Sequence, residues 1–315
     1  MGKVKEIAIG GQAVIEGVMM RGPEHIATCV RRKDGALELK KQKFDSITKR
    51  IKILGLPFIR GFVSLIEMMI IGIKTLTFSA SRYELDYEDE KEAAKSDLRK
   101  KSEEFFSYVL AFGFAILLFG VVPYFLSQKM ENNAVFNLLA GSIRILFFIG
   151  YVWGISKLKD VKRVFQYHGA EHKSVHAWEK QADLDPASVQ QFTTLHPRCG
   201  TSFIFLVMLI AILLFSIVDT LVQMYWLEKI LWWQRLLIHF PLIPIVSGIS
   251  YEILKFSGKN INNPLVKLFT MPGLALQKIT TQPPTDEMVE CAVVAMKSAL
   301  DIDVTDYQNL TLLDK

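Results

Sequence analysis

Residues 105–126 read FFSYVLAFGFAILLFGVVPYFL, and this stretch of 22 uncharged residues decides the fold. About 20 consecutive apolar residues are enough for a helix to cross a bilayer. Three further stretches of similar length carry few charged residues: 134–156, 203–227 and 230–254. Their charged or imidazole side chains are Arg144, Asp219, Arg235, His239 and Glu252. Such groups are costly at membrane depth, and Asp219 and Arg235, which lie near the outer side, are expected to pair. The sequence therefore predicts a mainly α membrane protein with four transmembrane helices, arranged as two hairpins over residues 105–156 and 203–254.

A fifth apolar stretch, residues 54–80, has a different pattern. Arg60, Glu67 and Lys74 recur every seven residues, so they form one polar stripe along a helix. A span that faces lipid should not carry such a stripe. We expect an amphipathic helix that lies on the membrane or docks against the helix bundle. A spanning helix whose stripe faces the bundle interior is the less favoured alternative.

The distribution of Lys and Arg predicts the orientation. Residues 1–53 hold 12 of them, the middle loop 157–202 holds 7, and the tail 255–315 holds 6, whereas the two hairpin turns hold one each. Basic residues accumulate on the cytoplasmic side of a membrane. We therefore expect a multi-pass protein of the cytoplasmic membrane, with both termini and the middle loop in the cytoplasm. Anionic lipid head groups are the expected partners of the basic residues, and no basic run interleaved with aromatics indicates nucleic acid. A homo-oligomer is also compatible with the sequence.

The segments outside the spans divide into four parts. The first, residues 1–53, is predicted to be a small cytoplasmic β-rich element, because residues 25–32 and 36–44 flank an Asp34-Gly35 turn. A charged connector over 81–104 and a His-rich loop over 157–202 follow. The tail, 255–315, has a helix start at Thr285 and apolar residues at helical spacing after it, so we expect an amphipathic helix packed on the β element.

Four of the six histidines lie in the middle loop, and they carry the clue to chemistry. In the sequence His168-x-x-Glu171-His172 the two imidazoles are four residues apart, so they share one face of a helix predicted from about residue 161 to 180. Imidazole and carboxylate are zinc ligands. The order His-x-x-Glu-His is that of the inverzincins, in which the Glu acts as the base, but the match covers only five residues and does not predict that fold.

Further ligands are expected from His196 and Cys199, which lie three residues apart just before the third span. A loop that returns to the membrane would bring them beside the helix, and Cys would then bind as the thiolate. The predicted ligands of one divalent metal, most simply zinc, are His168, His172, His176, His196 and Cys199, with Glu171 as the catalytic base. The residues named as supporting candidates are Gln12, Glu16, Arg21, Arg198 and Glu252. For Glu16 a salt bridge is the preferred interpretation.

Three functions fit these patterns. The first is a metal-dependent hydrolase that acts on a lipid or a membrane peptide at the inner face. The second is a membrane scaffold or assembly factor with a structural zinc, since spacing alone does not reveal an open coordination position. The third is a small-solute transporter, although ionisable residues at mid-depth are sparse for an ion relay.

Three motifs together resemble a known family. They are GQAVIEGVMMRG (11–22), YHGAEHK (167–173) and HPRCGTS (196–202), and Met271-Pro272-Gly273 fits the same pattern. They resemble the YqhQ-like bacterial membrane proteins, catalogued as domain of unknown function 1385. The resemblance covers nearly the whole chain and implies a predicted metal-dependent enzyme, with no established reaction to carry over.

Overall fold

The computed structural model describes residues 9–87, 97–260, 263–307 and 309–313, and it is mainly helical with a small sheet at the N-terminal end. The strands are β1 (Gly10–Val14), β2 (Gly17–Arg21), β3 (His25–Arg31), β4 (Leu37–Lys43) and β5 (Leu310–Leu313). The helices of the first half are α1 (Ile47–Arg50), α2 (Ile59–Tyr87), α3 (Asp97–Ile116), α4 (Val122–Ser127) and α5 (Asn133–Ile155). Those of the second half are α6 (Lys159–Glu179), α7 (Pro186–Gln190), α8 (Gly200–Tyr225), α9 (Trp232–His239), α10 (Ile243–Lys259), α11 (Pro264–Thr280) and α12 (Asp286–Ala299). Single turns of 3-10 helix cover Lys52–Gly55 and Phe240–Leu242, and a π-helical turn covers Leu117–Val121.

The sheet has the strand order β1-β2-β3-β4-β5, and its first four strands are antiparallel neighbours in sequence. The expected hairpin is present, with Gly35 at φ 88° in its turn. β5 comes from the far end of the chain and pairs parallel to β4, with Leu37 opposite Leu310. This strand was not expected, because four residues without a hairpin turn give no local signal of their partner.

Each face of the sheet is covered by a different layer. Along β1, Ala13 packs in the core that α6 and α12 build on one face, and its neighbour Val14 packs against α2 on the other. This alternation follows from the two-residue period of a strand. The predicted tail helix is α12, which is capped by Thr285 and is buried on the first face. The sheet is therefore the middle layer between α2 and the α6–α12 pair.

Five helical segments among the described residues are long and apolar enough to cross a membrane, against the four we expected. They are Ile59–Tyr87, Phe105–Ser127, Asn133–Ile155, Gly200–Tyr225 and Trp232–Gly258. The last four match the predicted spans to within a few residues. The additional one is α2, which is the stretch predicted to be amphipathic. Several long apolar helices indicate a membrane protein, whereas the count of four rests on how α2 is interpreted.

The bundle has two distinct ends. Gly141 of α5 packs on Ile212 of α8, and Asn133 reaches Asp219, so these two helices run antiparallel. Arg198, just before α8, packs on Gly258 near the end of α10. The ends of α5 and α10 therefore lie beside the beginning of α8, and we call this the α8-start end of the bundle.

The opposite end contains a buried polar cluster. Asp219 is fully buried and accepts hydrogen bonds from Asn137 at 2.8 Å and from Arg235, and it pairs with His239 at 2.8 Å. The ring of Phe215 stacks on His239 at 4.0 Å between centroids. The pairing of Asp219 with Arg235 that their positions suggested is present, and it fastens α9 to α8.

The predicted connector over 81–104 is largely helical in its described part. α2 continues to Tyr87 and α3 begins at Asp97, while residues 88–96 lie outside the described residues. The helix predicted over 54–80 therefore starts later and ends later than expected.

Candidate metal centre

One helix presents most of the predicted ligands on a single face. α6 carries His168, Glu171, His172 and His176, and the chain that returns from α7 passes over this face before α8 begins. The four imidazoles lie in a row, with ring centroids 4.4 Å apart for His168 and His172 and 5.7 Å apart for His172 and His196. His176 follows at 4.7 Å from His196. The two separate histidine motifs of the sequence thus meet in space.

Two of these rings have the orientation of metal ligands. His168 directs Nδ1 at the carbonyl oxygen of Thr280, at 2.8 Å, and His172 directs Nδ1 at that of Thr194. A carbonyl oxygen only accepts, so Nδ1 carries the proton in both rings and Nε2 keeps its lone pair. Metal-binding histidines are held by the same kind of contact.

Cys199 provides the third donor atom. Its sulfur lies 3.3 Å from Nε2 of His168, and it is the N-cap of α8, where it accepts from the Thr201 amide at 3.5 Å. The thiol is buried, so this residue faces the cluster rather than solvent.

The three donor atoms of His168, His172 and Cys199 all lie within 4.8 Å of one another. Tetrahedral zinc with two nitrogens and a sulfur needs donor separations of roughly 3.4–3.6 Å, given its usual bond lengths. Side-chain shifts of about an ångström would close the difference. Two imidazoles whose Nε2 atoms carry no proton, together with the Cys199 sulfur, therefore fit a divalent ion of the zinc type.

Glu171 lies beside these three donor atoms, next to His172. It is only 6% exposed, and its Oε2 atom is 3.5 Å from Nε2 of His172. Burial raises the pKa of the Glu171 carboxyl, while the nearby His168 and His196 rings and the Gly11 amide oppose that rise. A carboxylate at this position can complete the coordination shell or accept a proton from a neighbouring water.

The protonation of His172 also suits a ligand. Burial lowers the pKa of its imidazole, and contacts with Cys199 oppose this only in part. The neutral ring is the form that binds a metal.

His176 and His196 form a second group with Glu179, separate from the first. His196 accepts from the Arg198 amide through Nδ1 at 3.3 Å, so its Nε2 atom carries the proton that it shares with Glu179 at 3.2 Å. Arg198 pairs with the same carboxylate. The five predicted ligands are therefore divided between two groups of donor atoms: His168, His172 and Cys199 converge around one centre, and His176 and His196 converge with Glu179, whose carboxylate is already paired with Arg198.

The other supporting candidates lie elsewhere. Gln12 donates to the carbonyl of Gly72 at 3.4 Å, and Arg21 stacks on Phe44, with its guanidinium carbon 4.3 Å from the ring centre. Both face α2 rather than the histidines. Glu16 pairs with Arg163, as the preferred interpretation of a salt bridge expected, and Glu252 pairs with Arg60 at 2.6 Å.

α11 supplies residues that sequence reasoning missed. The buried Gln277 accepts from the His196 amide and donates to the His196 carbonyl, both at 2.7 Å, and it reaches Ser202 at 2.9 Å. Gly273 allows this close approach, because a Cβ there would lie 2.6 Å from the Ser202 hydroxyl. The familiar Met271-Pro272-Gly273 motif was the one available signal for this helix.

Comparison with known proteins gives two matches. The family model described as "Protein of unknown function (DUF1385)" matches residues 56–302. The uncharacterized protein YqhQ of Bacillus subtilis (strain 168) is 35% identical over 315 residues, which is 96% of this chain and 95% of that protein. No solved structure matches the chain. These matches confirm the resemblance that the three motifs indicated, and neither description names a metal, a reaction or a substrate.

Proposed function

Because the chain belongs to the family of proteins of unknown function DUF1385, its activity has to be inferred from its site, and we propose that it is a metal-dependent hydrolase of the cytoplasmic membrane. The observation that carries this proposal is the set of His168, His172 and Cys199 with Glu171 beside it. Three protein ligands with a carboxylate at the edge are the pattern of catalytic zinc sites, whereas structural sites are usually closed by four ligands.

Each residue has a role in this proposal. His168 and His172 would hold the ion through Nε2, and the carbonyls of Thr280 and Thr194 keep both rings in that tautomer. Cys199 would bind as the thiolate at the start of α8. Zinc supplies Lewis acidity to such a site. Glu171 would accept the proton of the attacking water, because its carboxylate lies beside the ligand His172.

The location of the centre supports a membrane-derived substrate. Cys199 directly precedes an apolar helix that is long enough to span a bilayer. The count of basic residues predicts that this α8-start end faces the cytoplasm. We therefore propose a lipid head group or a membrane-embedded peptide as the substrate class.

A structural ion is the second candidate, and one observation favours it. His168 and His172 lie in the middle of α6, which packs on the sheet, whereas Cys199 directly precedes α8 of the bundle. An ion bound by all three would therefore also hold the sheet against the bundle. In that case the protein would be a membrane scaffold or assembly factor.

The variant Glu171→Gln separates the two candidates, because the amide keeps the shape of the side chain and removes the base. We expect purified Glu171→Gln protein to retain its metal and its thermal stability. We also expect it to fail to complement a deletion strain and to leave unchanged the lipid species that the wild type converts in vesicles of bacterial polar lipid. Full complementation by Glu171→Gln would exclude the hydrolase and favour the structural ion.

A further inference from the structure

The contacts at the two ends of α2 show where this helix lies along the bundle. Near its beginning, Arg60 pairs with Glu252 of α10, and Gly61 packs on Gly248 and Tyr251. Near its end, Tyr83 lies within electrostatic reach of Asp160 and Arg163, just after α5 has ended. α2 thus runs from the middle of α10 to the residues that directly follow α5.

Glu252 lies six residues before Gly258, roughly 9 Å along α10, so both ends of α2 lie in the half of the bundle next to the start of α8. A helix of 29 residues is roughly 43 Å long at 1.5 Å per residue. A helix that crossed the bilayer would have its two ends beside opposite ends of the bundle. The contacts of α2 instead match a helix that lies across one end.

One side of α2 packs against the sheet. Met68, Ile71 and Phe78 pack against the apolar face formed by β1, β2 and β3. Ser79 accepts from the backbone amide of Ile15 at 3.2 Å, and the carboxylate of Asp86 pairs with Arg32 at 2.6 Å. Strands with charged side chains do not enter a bilayer core, so these contacts exclude a mid-membrane position for this part of α2.

Over residues 69–76, the opposite side of α2 is apolar and exposed. Met69, Ile70, Ile73 and Leu76 are each between 44% and 60% exposed. Their spacing places them on one helix face, away from the sheet. The polar stripe of the sequence does not interrupt this face: Arg60 and Glu67 bond to protein, and Lys74 is exposed at its margin.

The segment before α2 extends the same surface. Ile47, Ile51, Ile53, Leu56 and Phe58 are 45–67% exposed. Lys49, Arg50 and Lys52 alternate with them. Lys49 donates to the Pro23 carbonyl at 3.1 Å and Arg50 pairs with the exposed Asp45 at 2.6 Å, so both are held at this surface while they remain open to solvent.

Two carboxylates hold this segment in place. The buried Glu67 accepts from the Ser46 hydroxyl at 2.7 Å and from the Ile47 amide at 2.6 Å. Glu252 accepts from the Phe58 amide at 3.4 Å. A segment that is fixed at both ends while it exposes five large apolar side chains is built to contact a surface.

We propose that the outward face of α2 and the segment 47–58 form one docking surface that lies flat in the head-group region of an anionic lipid leaflet, at the α8-start end of the bundle. The apolar side chains enter the boundary between head groups and acyl chains, and the basic ones pair with lipid phosphates. This inference does not depend on the metal centre. It makes α2 an in-plane helix, so the layers are bilayer, α2, sheet, and then α6 with α12.

Spin-label depth measurements test this surface. Single cysteines at Ile53, Ile59, Ile73 and Leu76 would be labelled in the full-length protein in nanodiscs of phosphatidylcholine and phosphatidylglycerol. The native Cys29, Cys199 and Cys291 are buried, so labelling is directed to the introduced positions. We expect all four labels at a similar depth of about 5–10 Å into the interface. Asp34→Cys in the β3–β4 turn is the aqueous control.

Two results would overturn the proposal. If α2 crosses the bilayer, the labels at Ile59 and Ile73 would differ in depth by about 21 Å, from 14 residues at 1.5 Å each. If the surface is covered by protein or water, none of the four labels would be accessible to oxygen dissolved in the lipid.

A second experiment tests whether the docking surface requires anionic lipid. The triple variant Lys49→Gln, Arg50→Gln and Lys52→Gln should place the Ile53 label at a shallower depth in the anionic nanodiscs, and it should make no difference in pure phosphatidylcholine. An equal depth in both lipids for both proteins would refute the role of the net negative charge of the leaflet, while leaving the in-plane position of α2 to the first experiment.

Discussion

Single residues decide whether the centre can form, and Gly11 is one that leaves no space for a larger side chain. A Cβ at this position would lie 2.7 Å from Cγ of Glu171 and 2.7 Å from the carbonyl oxygen of Met19. The amide of Gly11 also hydrogen-bonds the Glu171 carboxylate. The glycine therefore lets β1 approach α6 closely enough to position the proposed base.

Gly11→Ala should destabilise the protein by about 1–3 kcal/mol, the usual cost of forcing a methyl group into a packed site. It should also displace Glu171. Gly10→Ala is the matched control, because nothing lies within 4 Å of its added Cβ. Thermal unfolding in detergent would measure both variants, and equal midpoints for the two would show that the close approach of β1 to α6 has no energetic weight.

The sequence predicted the chemistry of the residues better than their partners. His168, Glu171 and His172 share a face because they lie on a helix, and that follows from spacing alone. Spacing does not predict that the five ligands are divided into two groups, because that division depends on the backbone groups to which each ring hydrogen-bonds. Thr194 and Thr280 orient two rings for a metal, and the Arg198 amide turns His196 towards Glu179.

At the scale of elements, α11 holds the return segment against α6. Gln277 brackets the backbone of His196 with two hydrogen bonds, and Thr280 orients His168 from the next turn. Both contacts come from a helix about 80 to 110 residues away in sequence, so no local sequence pattern predicts them. The four apolar spans and the β3–β4 hairpin, in contrast, follow from composition and from one turn.

Gln277→Leu should leave the buried amide of His196 unpaired, at a cost of about 1–3 kcal/mol. The His196 carbonyl would keep only its 3.4 Å hydrogen bond from the Cys199 amide. Because Gln277 supports the segment that carries Cys199, metal affinity should also fall by roughly 10- to 100-fold, as is usual for outer contacts of a metal site. Competition with a chelator would measure the affinity. Gln282→Leu is the control, since its side chain makes one long contact, at 3.5 Å to Ile279. Identical affinities for the two variants would contradict the role given to α11.

At the scale of the whole molecule, the bundle has a polar cluster at each end. The histidine cluster lies at the α8-start end, and Asp219 lies 19 residues further along α8, roughly 28 Å away on a helix. Asp219 holds Arg235 and His239 of α9, and α5 joins through Asn137. The sequence indicated this pairing because charged residues in apolar spans need partners. It did not indicate how α2 lies, since a 29-residue apolar helix is long enough both to span a bilayer and to lie on one.

Asp219→Asn should remove the anion that neutralises Arg235 and should destabilise the bundle by about 3–5 kcal/mol, the range for breaking a buried ion pair. Metal content should not change, because of the distance between the two clusters. Glu228→Gln removes the same charge from an exposed position and should be nearly neutral. Thermal unfolding together with elemental analysis would check both points. A loss of metal in Asp219→Asn would show that the two ends are coupled.

The central claim is that His168, His172 and Cys199 hold one cation, and elemental analysis of the purified protein tests it most directly. We expect about one equivalent of zinc or a similar divalent ion per chain in the wild type and in His176→Ala, since His176 lies outside the ligand set. His172→Ala and Cys199→Ser should be purified without it. A wild type that lacks metal after growth with zinc, or a His172→Ala variant that keeps a full equivalent, would contradict the account.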